Sequence, residues 1–197
     1  MPVVSDLSRR TLLGAPALLS VAGATAACAQ SEIGEPPSGA TTLVAYFTRS
    51  GNTRVIAGQL HRDLPADLFE IRPAQAYPED YEQTVEQARQ ERDRGYAPPL
   101  AESAPGFEAY RTVYLGFPIW GGTAPPVIRA FLRGHDMTGK HLRPFITHGG
   151  YGPGDSEAVI ARHAAGARID APFVIEADQE RRTMTAVRGW LDRSSSD

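Results

Sequence analysis

The sequence contains few of the side chains that most often act as nucleophiles. Cys28 is the only cysteine in 197 residues, which excludes an internal disulfide framework and a cysteine-cluster metal site. Lys140 is the only lysine, so a mechanism that needs a lysine nucleophile or a phosphate-gripping lysine has one candidate. The formal net charge of -3 argues against a basic surface that binds nucleic acid.

The overall composition is that of one globular domain with an appendage. Hydrophobic residues make up 42% of the chain and charged residues 22%, which fits neither disorder, collagen nor a coiled coil. The 19 glycines and 16 prolines are a rather high share. They indicate functional loops between short elements of secondary structure.

The first thirty residues differ in composition from the rest. Arg9 and Arg10 directly precede an uncharged run over residues 11–27 that ends in small residues. A basic start, an apolar middle and a small-residue end are typical of an export signal. The run is short for a membrane span and contains Pro16, which argues against a permanent anchor. The arginine pair resembles a twin-arginine signal, so residues 1–29 are predicted to direct export to the periplasm or another extracytoplasmic compartment.

Cys28 has a second interpretation, which is attachment of a lipid anchor. Small residues precede it at Ala26 and Ala27, as such a site requires, but Thr25 is a poor match to the aliphatic residue expected there. Removal of residues 1–29 would leave a mature chain without cysteine. Residues 30–40 have the composition of a linker, 41–193 form the predicted domain and 194–197 a short tail.

The predicted domain alternates short apolar runs with segments of helical spacing. The apolar runs, read as buried strands, are 42–47, 67–71, 112–117, 142–147 and 172–175. Five strands interleaved with five helices predict a doubly wound α/β sandwich of three layers around a parallel sheet. The helix that opens at Pro78 carries many charges, which we interpret as a solvated face, and the helix is predicted to be mostly solvated with a narrow buried stripe. Ligands of such sheets bind beyond the carboxyl ends of the strands.

Three loops follow strands at that edge of the sheet. The first combines hydroxyl, amide and glycine residues before a helix, where free backbone N–H groups favour a phosphate monoester. Its members are Thr48, Arg49, Ser50, Gly51, Asn52 and Thr53. From residue chemistry alone, a plain turn with a helix cap explains this loop equally well.

The second and third loops are rich in glycine and carry aromatic rings. The second has a tryptophan before two glycines, an arrangement that can stack on a planar ring and hydrogen-bond to it. Its members are Pro118, Ile119, Trp120, Gly121 and Gly122. The third permits close backbone approach to a ligand, and its histidine is more typical of a structural hydrogen bond than of catalysis. Its members are His148, Gly149, Gly150 and Tyr151.

The three loops in order resemble the flavodoxin-like family. Residues 44–53 are similar to its phosphate-loop signature, 116–125 to its first ring-binding loop and 147–150 to its second. The resemblance spans residues 42–192 and implies a five-stranded sheet of order 2-1-3-4-5 that binds flavin mononucleotide (FMN). Phosphate contacts then fall on the first loop, with Arg49 close by, and ring contacts on the other two. Relatives often carry a second aromatic where Gly121 stands, so either one face of the ring is less covered here or Tyr151 replaces the missing aromatic.

The resemblance leaves three functions open. An FMN-dependent electron-transfer protein comes first, with a redox protein or a small molecule as its electron acceptor. An FMN-dependent reductase that passes electrons from NAD(P)H to a quinone is the second, and a non-redox binding protein on the same fold is the third. No residue is assigned as catalytic, and no metal site is expected.

Overall fold

The computed structural model describes residue 36 and residues 38–177 and 180–194, with side chains throughout except at 180–185 and 194. All of these belong to the second of two compact units, Ile33–Asp197. The predicted signal at 1–29, Cys28, most of the predicted linker and most of the tail lie outside the described residues. None of the described helices is long and apolar enough to cross a membrane.

Strands and helices alternate along the described chain, with one short 3-10 turn at Phe107–Ala109. The strands are β1 (Thr42–Tyr46), β2 (Asp67–Glu70), β3 (Thr112–Pro118), β4 (His141–His148), β5 (Arg168–Ile169) and β6 (Phe173–Glu176). The helices are α1 (Asn52–Asp63), α2 (Tyr81–Asp93), α3 (Pro126–Gly134), α4 (Ser156–His163) and α5 (Glu180–Ser194).

The sheet is parallel in the order β2-β1-β3-β4-β5, which confirms the predicted fold class and strand order. One detail of the prediction is wrong, because two short strands rather than one pair with β4 at that edge. β5 opposes the start of β4 at His141, and β6 opposes its later part from Phe145 onwards. Pro172 separates the two strands and has no N–H to donate to a sheet, so the pairing is interrupted there.

Helices cover both faces of the sheet, as a doubly wound fold requires. Alternate side chains of each strand point to opposite faces, so Leu43 and Val44 of β1 belong to two different cores. One core packs beneath α3 and α4, with Phe131 at its centre, and the other beneath α1 and α5, with Leu60. Both cores consist of buried apolar side chains, and their close packing holds the carboxyl ends of the strands and the loops that follow them in fixed positions.

Lys140 lies at the amino end of β4, on the side of the sheet opposite to the carboxyl ends of the strands. Its Nζ donates to the carbonyl oxygens of Phe107, Glu108 and Tyr110 at 3.0, 3.1 and 2.6 Å. Burial lowers the pKa of this ammonium, and the three carbonyls satisfy all of its donors. The only lysine therefore stabilises the loop before β3 and is not available as a nucleophile or a phosphate ligand.

Candidate functional site

A cleft of about 430 Å³ lies beyond the carboxyl ends of β1, β3 and β4. Nine of the residues predicted from the three loops line it, together with residues of α2. The nine are Arg49, Ser50, Asn52, Pro118, Ile119, Trp120, Gly121, His148 and Gly149. The structure thus brings parts of all three loops to one opening.

The first loop ends at the N-terminus of α1, where the cleft is polar. Gly51 occupies the position before the helix with φ +94°, a conformation that favours glycine. The Thr48 hydroxyl accepts a hydrogen bond from the Gly51 N–H at 3.0 Å and fixes this turn. The first amides of a helix have no acceptor within it, and the first turn of α1 contains no acidic residue. With Ser50 and Asn52 on the cleft wall, this end is suited to an anion.

Thr53, also predicted as a phosphate contact, has a different position. Its side chain is fully buried, and its hydroxyl lies 2.9 Å from that of Thr147 at the end of β4. Thr53 therefore ties α1 to β4 and does not line the cleft, whereas Thr147 does. Arg49 lies on the cleft wall, donates to the Glu79 carbonyl at 2.6 Å and has its guanidinium 5.6 Å from the Tyr81 ring centre.

The opposite end of the cleft is apolar and is built around Trp120. The indole contacts the ring of Phe47 edge-on at 5.1 Å and that of Tyr77 at 4.9 Å, centre to centre. The Tyr77 hydroxyl donates to the buried carboxylate of Glu91 at 2.7 Å; burial and this hydrogen bond raise its pKa. These contacts hold Trp120 in one orientation on the surface of the core, as a flat ligand would need.

The two glycines after Trp120 form a tight reversal of the chain. Trp120 and Thr123 exchange backbone hydrogen bonds of 3.0 and 3.3 Å across it. Gly121 and Gly122 have φ values of +58° and +78°, the pattern of a type I′ turn, which favours glycine at both positions. An aromatic residue at position 121 would be strained in this turn, because its backbone lies in the left-handed region.

The third loop is only partly at the cleft. His148 accepts a hydrogen bond from the Gly150 N–H on Nδ1 at 3.0 Å, so it shapes the glycine loop. Gly150 and Gly122 are not among the lining residues, and Tyr151 is 91% exposed outside the cleft. The structure therefore does not bring Tyr151 to the position of the missing aromatic. Tyr81 at the start of α2 is the aromatic residue that lines the cleft besides Trp120.

The flavodoxin family model Flavodoxin_4 matches residues 41–193. The chain belongs to the flavodoxin family. Among solved structures it is similar to a protein of Bacteroides eggerthii classed as a flavoprotein, with 30% identity and a TM-score of 0.67 over 77% of this chain and 96% of that one. A second Bacteroides protein so classed, from B. uniformis, is 26% identical over 75% and 97%, with a TM-score of 0.66.

A third similar structure is a flavoprotein of Lactobacillus acidophilus in complex with FMN. It is 18% identical over 74% of this chain and 98% of that one, with a TM-score of 0.58, and at this identity it supports the fold alone. No curated protein sequence matches the chain significantly.

In this flavodoxin, α2 supplies the residues that the sequence interpretation missed. The predicted narrow buried stripe is present at Thr84, Ala88 and Glu91. The sequence interpretation did not foresee that a stripe of this helix also forms a wall of the cleft. That stripe consists of Tyr81, Thr84, Val85, Ala88, Arg89 and Arg92. Residues spaced by three and four lie on a single face of a helix, so this spacing was a signal in the sequence that could have identified the stripe. The many charges of the helix were read as a solvated face, so the stripe was not assigned to a ligand site.

The cleft of this flavodoxin carries positive charge. The charged residues that line it are three arginines, Arg49, Arg89 and Arg92, and no acidic side chain is among the described lining residues. Arg89 pairs with Glu86 at 2.8 Å and Asp93 at 3.1 Å, and it holds the pKa of Glu86 down to about 2. Among the side chains that the structure describes, no group of three His, Cys, Asp or Glu could hold a metal ion.

Proposed function

We propose that this flavodoxin binds FMN in the cleft and transfers electrons between redox partners outside the cytoplasm. One observation carries the proposal: the cleft is built for an anion at the α1 end and for a flat apolar group at the Trp120 end. FMN has a phosphate at one end and an isoalloxazine ring at the other. The FMN complex of the L. acidophilus flavoprotein supports this choice of ligand.

The residues of the cleft divide between the two ends of FMN. The first amides of α1, with Ser50 and Asn52, would hold the phosphate, and Arg49 would offset part of its charge. Trp120 would cover one face of the ring, with Tyr81 on α2 as the aromatic nearest to the other face. When bound, the flavin supplies one- and two-electron transfer.

One observation favours an FMN-dependent NAD(P)H:quinone-type reductase as the second candidate. Arg89 and Arg92 line the cleft along α2, beyond the polar end assigned to the FMN phosphate. Guanidinium groups in this position suit the phosphates of a nicotinamide dinucleotide. The electron carrier needs no such contact, because its reductant is another protein.

Stepwise anaerobic reduction of the FMN-loaded protein separates these functions. We expect the absorbance of bound flavin to fall in two resolved steps with a chemical reductant, and NADH or NADPH alone to give no steady turnover with a quinone. Steady turnover of NADH or NADPH with a quinone would contradict the electron carrier and support the reductase. A protein that takes up no FMN would support the non-redox binding protein instead.

We further propose that residues 1–29 direct export through the twin-arginine route. The basis is the pair Arg9 and Arg10 before an uncharged run in the sequence. Changing both to lysine keeps the charge, and we expect it to retain the precursor in the cytoplasm on cell fractionation. Cys28→Ser is the matched control: unchanged export and loss of membrane association in this variant would indicate a lipid anchor.

A further inference from the structure

Arg129 on α3 is a buried cation whose Nε has no hydrogen-bond partner among the described residues. Its side chain is 8% exposed. The other buried charged side chains do have partners: Lys140 has three carbonyls, and Glu91 accepts from Tyr77 at 2.7 Å and Gln87 at 2.9 Å. Burial of an unpaired charge is costly, so this arrangement calls for an anion.

Two further arginines act on Arg129: Arg133, one turn along α3, and Arg92, which is itself paired with Asp93 at 3.5 Å. Burial and the charges of Arg133 and Arg92 lower the pKa of Arg129, while Tyr77 and Asp155 act in the opposite direction. No carboxylate lies within ion-pair distance of Arg129 among the described residues. A guanidinium keeps its charge even so, because its ordinary pKa is above 12.

The cluster lies between three helices and behind the second loop. Arg92 projects from α2 and donates to the Gly121 carbonyl at a long 3.5 Å, while Arg129 and Arg133 project from α3. Asp155, before α4, donates its backbone N–H to the Gly122 carbonyl at 3.1 Å. The cluster therefore adjoins the turn that follows Trp120. Arg129 itself is not among the residues that line the cleft.

We propose that Arg129, with Arg92 and Arg133, forms a binding site for a small oxyanion, meaning a phosphate, sulfate or carboxylate group. The planar guanidinium presents paired donors that match two oxygens of such a group. The site is distinct from the phosphate end of the cleft, which is at α1. The proposal does not depend on FMN binding, since it rests on α3 and its neighbours alone.

The test compares thermal unfolding of wild-type protein, Arg129→Met and Arg111→Met. Arg111 is exposed at the amino end of β3, so its loss matches the charge change without touching the cluster. Each protein is measured in sodium phosphate, sulfate, acetate and chloride at equal ionic strength. We expect phosphate or sulfate, or acetate if the ligand is a carboxylate, to raise the melting temperature of wild type and Arg111→Met by roughly 3 °C over chloride.

The same anion should shift Arg129→Met by roughly 3 °C less than it shifts wild type. In chloride this variant should be at least as stable as wild type, because an unpaired buried charge is gone. An anion that binds at the α1 end would stabilise all three proteins equally, so its effect cancels when the shifts in melting temperature are compared. Arg133→Met, at an exposed position, should lose part of the shift and serves if Arg129→Met does not fold. Equal anion shifts in wild type and in both cluster variants, or no anion shift in wild type, would overturn the proposal.

Discussion

Gly154→Ala is expected to lower the free energy of unfolding by about 3 kcal/mol and to weaken ligand binding in the cleft. A Cβ at position 154 would lie 1.8 Å from the Gly122 carbonyl oxygen and 2.5 Å from its carbon. Both contacts are with backbone, so no side chain can move aside. Gly154 also has φ +56°, which adds strain for any other residue.

The second consequence of this change falls on the cleft. The carbonyl that must move belongs to the turn that follows Trp120, so the indole and the Gly121 backbone move with it. We expect FMN affinity to fall roughly tenfold or more, since a displacement of about 1 Å disrupts both stacking and hydrogen bonds.

Gly152→Ala is the matched control for Gly154→Ala. Gly152 lies in the same loop and has φ +73°, but nothing lies within 4 Å of the position of its Cβ. The free energy of unfolding of this variant should fall by only about 1 kcal/mol, the cost of placing alanine at a positive φ, and its FMN affinity should not change. Chemical denaturation and FMN titration measure both effects. Equal losses in the two variants would show that the close approach of Gly154 to the Gly122 carbonyl has no energetic role.

The double variant Ser50→Ala/Asn52→Ala is expected to weaken FMN binding about 100-fold and riboflavin binding less than about threefold. Each side chain would supply one charge-assisted hydrogen bond to the phosphate, and each such bond is worth about a factor of ten or more. Riboflavin has no phosphate, so its ring contacts at Trp120 are unchanged. Fluorescence titration with both flavins measures the two affinities.

Ser103→Ala, at an exposed position outside the cleft, is the control for this pair. Thr53 is unsuitable as a phosphate probe, because its buried hydroxyl is paired with Thr147 and its removal would loosen α1 from β4. Comparable losses for FMN and riboflavin would place the phosphate elsewhere and would contradict the assignment of the first loop.

The sequence predicted the strand order and the edge of the sheet at which the three loops meet. The edge follows from a short-range signal, apolar runs that stop at glycine-rich loops, because ligands of such sheets bind beyond the carboxyl ends of the strands. The strand order came only from the resemblance of the three loops to the flavodoxin-like family. β5 was missed because its two residues, Arg168 and Ile169, are exposed and form no apolar run. A strand of this length is held by pairing with β4 alone, and pairing is not visible in local sequence.

The parts of the cleft that were not predicted depend on packing between distant segments. Arg92 reaches the Gly121 carbonyl across 29 residues, and Tyr77 contacts Trp120 across 43. No loop motif marks these contacts, whereas the stripe of α2 was visible in its spacing. Tyr151 was one of two alternatives for the missing aromatic, and the structure places it between two positive-φ glycines, Gly150 and Gly152, which turn the chain there.

Titration of FMN into the purified chain, followed by flavin fluorescence, tests FMN binding most directly. We expect the fluorescence to be quenched, because Trp120 lies where the ring would stack, and saturation at one FMN per chain. Denaturation should release the flavin and restore its fluorescence. Fluorescence that rises in proportion to added FMN, with no quenching by the folded protein, would contradict the assignment of the cleft.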